Sequence, residues 1–153
     1  MFNKSVWKNG ESQVVDYMKN KGYKIVYNNY SQKICELDIV AVLSKKVQIC
    51  SIKNRNKSKI KDLTDKLQIK MEKYALKNQI KNLKNLLIIV EVKSRSNNKF
   101  GMGIDAISNK KILHMKRGAE ILLKEKRFND MQVRFDVASV DGGVLTYIEN
   151  AFW

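Results

Sequence analysis

Leu86-Leu87-Ile88-Ile89-Val90-Glu91-Val92-Lys93 reads as a strand covered on both faces, with a carboxylate and an amine at its closing end. Side chains alternate across a strand, so Leu87, Ile89, Glu91 and Lys93 share one face and Ile88, Val90 and Val92 the other. An ionised group in such a run is costly unless it is paired, hydrated or bound to metal. Glu91 and Lys93 therefore mark a site.

Upstream, residues 55–85 are rich in lysine, with Ile60, Leu63, Leu67, Met71 and Tyr74 recurring every three or four positions, which predicts one long helix or two shorter ones. Before them, residues 47–53 are expected to form a strand, joined by a turn near Ser44-Lys45-Lys46 to a strand over 34–43. In that earlier strand Glu36, Asp38, Val40 and Val42 alternate against Cys35, Leu37, Ile39, Ala41 and Leu43. Residues 23–30 form another strand. A first helix carries Trp7, Glu11, Val14, Val15 and Met18 on one stripe and closes at Gly22. Glu11 thus points toward the core side instead of toward water.

Downstream, residues 94–103 form a polar loop, and Ser108 caps a helix through Lys126 whose stripe is Ile112, Met115, Ala119 and Leu122. His114, the single histidine, lies near a basic surface of that helix and is given no catalytic role. A strand over 133–140 turns at Asp141-Gly142-Gly143 into a last strand through Ile148.

At 153 residues and 44% hydrophobic, the chain fits one domain spanning 1–153. No apolar run approaches the roughly 20 residues that a bilayer needs, and Met1-Phe2-Asn3-Lys4 lacks the start of a secretory signal, so a cytoplasmic protein without membrane partners is expected. Cys35 and Cys50 lack zinc-type spacing and are expected to be small buried hydrophobes in a reducing compartment. Thirty Lys and Arg against fifteen Asp and Glu leave a formal charge of +15. AT-rich coding alone raises lysine, but it also favours acidic codons, and acids are half as numerous as bases. The imbalance points to a polyanion partner.

An inward glutamate on the first helix, an acid pair opening one strand and Glu-x-Lys closing another are ingredients for metal-assisted phosphodiester hydrolysis. Such oxygens suit a hard cation such as Mg2+, or Mn2+ in its place, which polarises a phosphoryl oxygen while a nearby amine steadies charge.

Gly10-Glu11, Gly22-Tyr23-Lys24-Ile25, Glu36-Leu37-Asp38-Ile39-Val40-Ala41, Val90-Glu91-Val92-Lys93-Ser94-Arg95-Ser96, Phe100-Gly101, Lys110-Lys111, Arg134-Phe135-Asp136-Val137 and Ile148-Glu149-Asn150-Ala151-Phe152 together resemble the YraN-type family of restriction-endonuclease-like, PD-(D/E)xK, proteins, similar to archaeal Holliday junction resolvases. The resemblance implies an α/β fold with a mixed central sheet flanked by helices, enlarged here by a lysine-rich strand-helix insertion over about 44–85. It implies that Asp38 and Glu91 bind the divalent ion with the main-chain carbonyl of Val92, that Lys93 assists the attacking water, and that Glu11 orients a metal-bound water or supports a second ion. Glu36 also falls on the acidic motif, where a salt bridge explains it as well. Arg95, Lys99, Lys110 and Lys111, with Lys53, are the expected nucleic-acid contacts. The implied activity is a divalent-metal-dependent DNA endonuclease acting on branched or structured DNA, working as a homodimer. The alternatives are a non-catalytic nucleic-acid-binding protein with a degenerate nuclease fold, and a basic structural protein without a specific partner.

One departure bears on all of this. The family's Glu-x-Lys strand follows its acid motif after about a dozen residues, whereas Asp38 and Glu91 are 53 positions apart. Ser51-Ile52-Lys53-Asn54-Arg55 stands at the family's distance with serine in the acid's place. Either a strand and helix are inserted before the true motif, or the true strand has lost its acid and Lys53 occupies the site.

Overall fold

The computed structural model describes residues 4–60, 70–71, 73–78, 84–95 and 107–152, with the side chains of 4–9, 53–60 and 95 outside the description. Among these residues, helix α1 (Lys4–Asn20) leads into β1 (Lys24–Gln32) and β2 (Cys35–Leu43). Helix α2 (Lys45–Ile60) follows, then β3 (Leu86–Arg95), α3 (Asn109–Leu123), β4 (Gln132–Asp141) and β5 (Val144–Phe152). The strands form one sheet in the order β1-β2-β3-β4-β5. Only β3 and β4 run parallel. Their connection carries α3, as a parallel pair requires.

Helix α1 closes where glycine allows it. Gly22 has φ +86°, its N–H donates to the Lys19 carbonyl at 2.9 Å, and the Tyr23 N–H reaches the Met18 carbonyl at 3.0 Å. These two bonds satisfy carbonyls that the helix end leaves free, and Met18 and Tyr23 pack together in the core behind them. At the other end of the chain, Gly142 and Gly143 have φ +56° and +84°, the pair of positive angles that a two-residue hairpin between β4 and β5 needs.

The sheet carries a core on each face. Val14 and Met18 of α1 pack on Ile39, Ala41, Ile88, Val90, Val92, Ala138 and Val140. Met115, Ala119 and Leu122 of α3 pack on Val40, Leu87, Ile89 and Phe135. The expected alternation along β3 holds, with Leu87 and Ile89 toward α3 and Ile88, Val90 and Val92 toward α1. In β2, Leu37 departs from it by packing with Val40 against α3.

Residues 47–53 are helical, not a strand, and this corrects the expected hairpin. Val47-Gln48-Ile49 alternates like a strand, but short apolar runs are ambiguous in period. Capping decides it: Ser44 Oγ accepts from Val47 N at 3.3 Å, Asn85 Oδ1 accepts from Lys45 N at 2.8 Å, and Gln48 Nε2 donates to the Lys84 carbonyl at 2.8 Å. Val47 then seals against Gly22, where a Cβ would meet it at 2.7 Å. Ser51-Ile52-Lys53 therefore lies on a helix, and β3 with Glu91 and Lys93 is the strand that pairs with β2. Of the lysine-rich stretch, residues 55–60 complete α2 and residues 70–71 and 73–78 are helical, while Leu63 and Leu67 of its predicted stripe lie outside the described residues. Helix α3 begins as expected, Ser108 Oγ accepting from Lys111 N at 3.2 Å, and ends at Leu123, three residues short of the expected Lys126.

Candidate active site

The antiparallel pairing of β2 with β3 stops at Ile39 and Val90, while β3 continues beside β4 to Arg95. Beyond that point the two strands part, and a backbone N–H of β3 facing β2 needs a new acceptor. Asp38, one residue before the split, supplies it: Oδ2 accepts from Val92 N at 2.7 Å. The other oxygen, Oδ1, faces the ammonium of Lys111 at 3.4 Å. Glu91, on the α3 face of β3 and almost fully buried, holds the same ammonium through Oε2 at 2.7 Å and the ammonium of Lys93 through Oε1 at 2.7 Å.

Two acids and two amines thus form one compact cluster, neutral when all four are charged. Burial first, and the neighbouring charge of Glu91 second, push the Asp38 carboxyl up to about 6. For Lys111 burial acts downward, but the ion pairs with Glu91 and Asp38 outweigh it and its pKa is raised. Among the described residues no group of three or more His, Cys, Asp and Glu side chains gathers for a metal. The carboxylates available at this strand end are Asp38 and Glu91.

Glu11 is not in the cluster. Its Oε2 accepts from Asn29 Nδ2 at 2.9 Å. Asn29, at φ +58°, falls between the pairs Asn28↔Ile39 and Tyr30↔Leu37, and so sits across the ladder from Asp38. Helix α1 can come this close because Gly10 presses on β3, where a Cβ would meet Ser94 Oγ at 2.7 Å. Glu36 is exposed on β2. Lys110 is exposed at the start of α3, and His114 is half-buried. The side chains of Arg95 and Lys53 and the whole of Lys99 lie outside the described residues.

Lys111 is the residue whose place the sequence reading missed, because it was assigned to phosphate contact and instead stands between the two acids. A signal for it existed. Lysine in the first turn of a helix meets the positive end of the helix dipole, so its placement there calls for nearby acids. Arg134 and Asp136 have a different role: Asp136, fully buried, accepts from Arg134 Nε and Nη2, Tyr147 Oη and the Asn150 N–H at 2.7 to 2.9 Å. Arg134 also donates to Tyr23 and Glu149, so this network ties β4, β5 and the end of α1 together.

Fold and site together define an α/β protein with a mixed five-stranded sheet, helices on both faces, and a buried acid pair held by two lysines where its central strands part. Residues 10–78 and 75–140 match the family described as Uncharacterised protein family UPF0102, and the chain belongs to this family, the YraN-type group that its motifs resemble. Asp38 lies in the first matched stretch, and Glu91, Lys93 and Lys111 lie in the second. A UPF0102 protein of Fusobacterium nucleatum is 27% identical over 143 residues, covering 94% of this chain and 87% of the relative. One from Dictyoglomus turgidum is 28% identical over 158 residues, covering 99% and 100%. One from Clostridioides difficile is 31% identical over 140 residues, covering 92% and 88%. No helix among the described residues is long and apolar enough to cross a membrane.

Proposed function

We propose that this chain is a divalent-metal-dependent phosphodiester hydrolase of the restriction-endonuclease-like kind, cutting DNA and favouring branched or structured forms. The observation that carries the reading is the convergence of Asp38 and Glu91, from strands that separate after Ile39 and Val90, on a single positive charge with Lys93 alongside. Two carboxylates that already face one cation fit a hard divalent ion, which is commonly held by one or two carboxylates and completed by water and phosphate. Val92 supports the same reading. A strand residue turns its N–H and C=O toward the same neighbour, so with the N–H held by Asp38 the carbonyl faces the opened edge too.

When bound, magnesium or manganese polarises the phosphoryl oxygen and lowers the pKa of bound water. The protein's own groups do the rest. Lys93, fixed by Glu91, holds the attacking water or the developing charge on phosphate. Glu11, anchored by Asn29 across from Asp38, orients water at the rim. Lys110, with Arg95, Lys99 and Lys53, contacts the DNA backbone, and the resemblance to resolvases makes a homodimer the working form.

Incubating forked, four-way-junction and linear DNA with magnesium or manganese tests this. Cleavage is expected from the wild type, and Asp38→Ala, Glu91→Ala and Lys93→Ala should each lose about a hundredfold or more of the rate. Full activity in Glu91→Ala would show that the site is misassigned. The second reading, binding without cutting, is favoured by the occupation of the acids' oxygens, Glu91 by Lys93 and Lys111 and Asp38 by Lys111 and the Val92 N–H. DNA retained by a wild type that never cleaves would establish it.

A further inference from the structure

We infer that Lys111 is a tethered counter-ion: its ammonium grips the oxygens of Asp38 and Glu91 that a divalent cation would use, so the cation enters by displacing it. The inference rests on the metal centre proposed above. Lys111 Nζ stands 2.7 Å from Glu91 Oε2 and 3.4 Å from Asp38 Oδ1, and it is the group that faces both acids at once. Lys93 is bound to the other oxygen of Glu91 and sits outside this contact.

The charges compete as well as the positions. With Lys93 and Lys111 in place the two carboxylates are already neutralised, so a divalent ion added beside them would meet two ammonium groups within contact range. Removing Lys111 from the pair lowers that repulsion and frees two oxygens. The helix itself is seated closely on the sheet. Gly118 brings α3 against β2 so closely that a Cβ there would meet Leu37 Cδ1 and Cδ2 at 2.9 Å, and Ser108 pins the backbone N–H of Lys111. The exchange is therefore a swing of the flexible four-carbon stem. It leaves the amine at the rim beside Lys110, where phosphate passes.

The test reads metal binding and not catalysis. Mn2+ titrations followed by electron paramagnetic resonance, on the full chain without DNA, compare wild type with Lys111→Met and Lys111→Gln. Circular dichroism verifies that each variant is folded. Both variants should bind Mn2+ about tenfold or more tightly than wild type, since the internal competitor is gone. Equal or weaker binding in the variants would overturn the tethered counter-ion and leave the metal centre standing. Absence of Mn2+ binding in all three would remove both. If the variants do not fold, the wild type decides: NMR of the lysine Nζ groups should show the ion-paired Lys111 ammonium lost as Mg2+ is added. Persistence of that signal at saturating Mg2+ would refute the exchange.

Discussion

Asp38 stores a pH dependence in the metal-free protein. Burial, followed by the charge of Glu91, moves its carboxyl from 3.8 to about 6. The folded state therefore holds the proton more tightly than the unfolded chain does, and the stability this confers is whole below about pH 4 and lost as pH rises through about 6. Two pKa units correspond to about 3 kcal/mol. Urea unfolding of the metal-free wild type and of Asp38→Asn, from about pH 4 to 8, should show the wild type losing stability relative to the variant by an amount of that order. Parallel curves would contradict it. At this scale the sequence was partly legible. Alternation alone places Glu91 and Lys93 on one face, and they do form a pair. Lys111 comes from a helix beyond an intervening loop; helical spacing puts it, and not Lys110, on the stripe of Met115, Ala119 and Leu122, but nothing local in sequence names the acids it meets.

Among the elements, the most legible were those whose ends carry their own chemistry. Gly22 closes α1, Ser108 opens α3, and Gly142-Gly143 turns β4 into β5, each where the sequence placed a boundary. The misread element, α2, is capped locally by Ser44 and further held by Lys84 and Asn85, 36 and 40 residues from their partners Gln48 and Lys45, contacts that no local pattern announces. The approach of α1 to β3 makes its own prediction. A methyl group at Gly10 would come within 2.7 Å of Ser94 Oγ and 2.9 Å of its Cβ, inside a packed interface. Gly10→Ala should therefore destabilise the protein by about 1–3 kcal/mol, the usual range for overpacking, despite the better helix propensity of alanine. Chemical denaturation measures it directly. A stabilised variant would mean that α1 does not lie this close to the sheet.

For the molecule as a whole, charge decides how it meets a partner. The formal surplus of +15 is unchanged by the inner ion pairs, because Asp38, Glu91 and Asp136 are matched there by Lys93, Lys111 and Arg134, while Lys110 stays exposed on the rim of the site. On the proposed function, DNA would bind with release of counterions, and the affinity should then fall steeply and linearly in log–log form as salt rises. Each phosphate contact contributes about 0.9 to that slope on duplex DNA. If Lys110 at the start of α3 touches phosphate, Lys110→Ala should weaken binding to every DNA sequence alike and lower the slope by about one. Fluorescence anisotropy across a salt series, with Asp38→Ala and Glu91→Ala included to prevent cleavage, gives both quantities. An unchanged slope would take Lys110 out of the interface. A flat salt response in the wild type would mean that the basic surplus does not serve nucleic acid at all, and the acid pair would then need a small phosphorylated substrate in place of DNA.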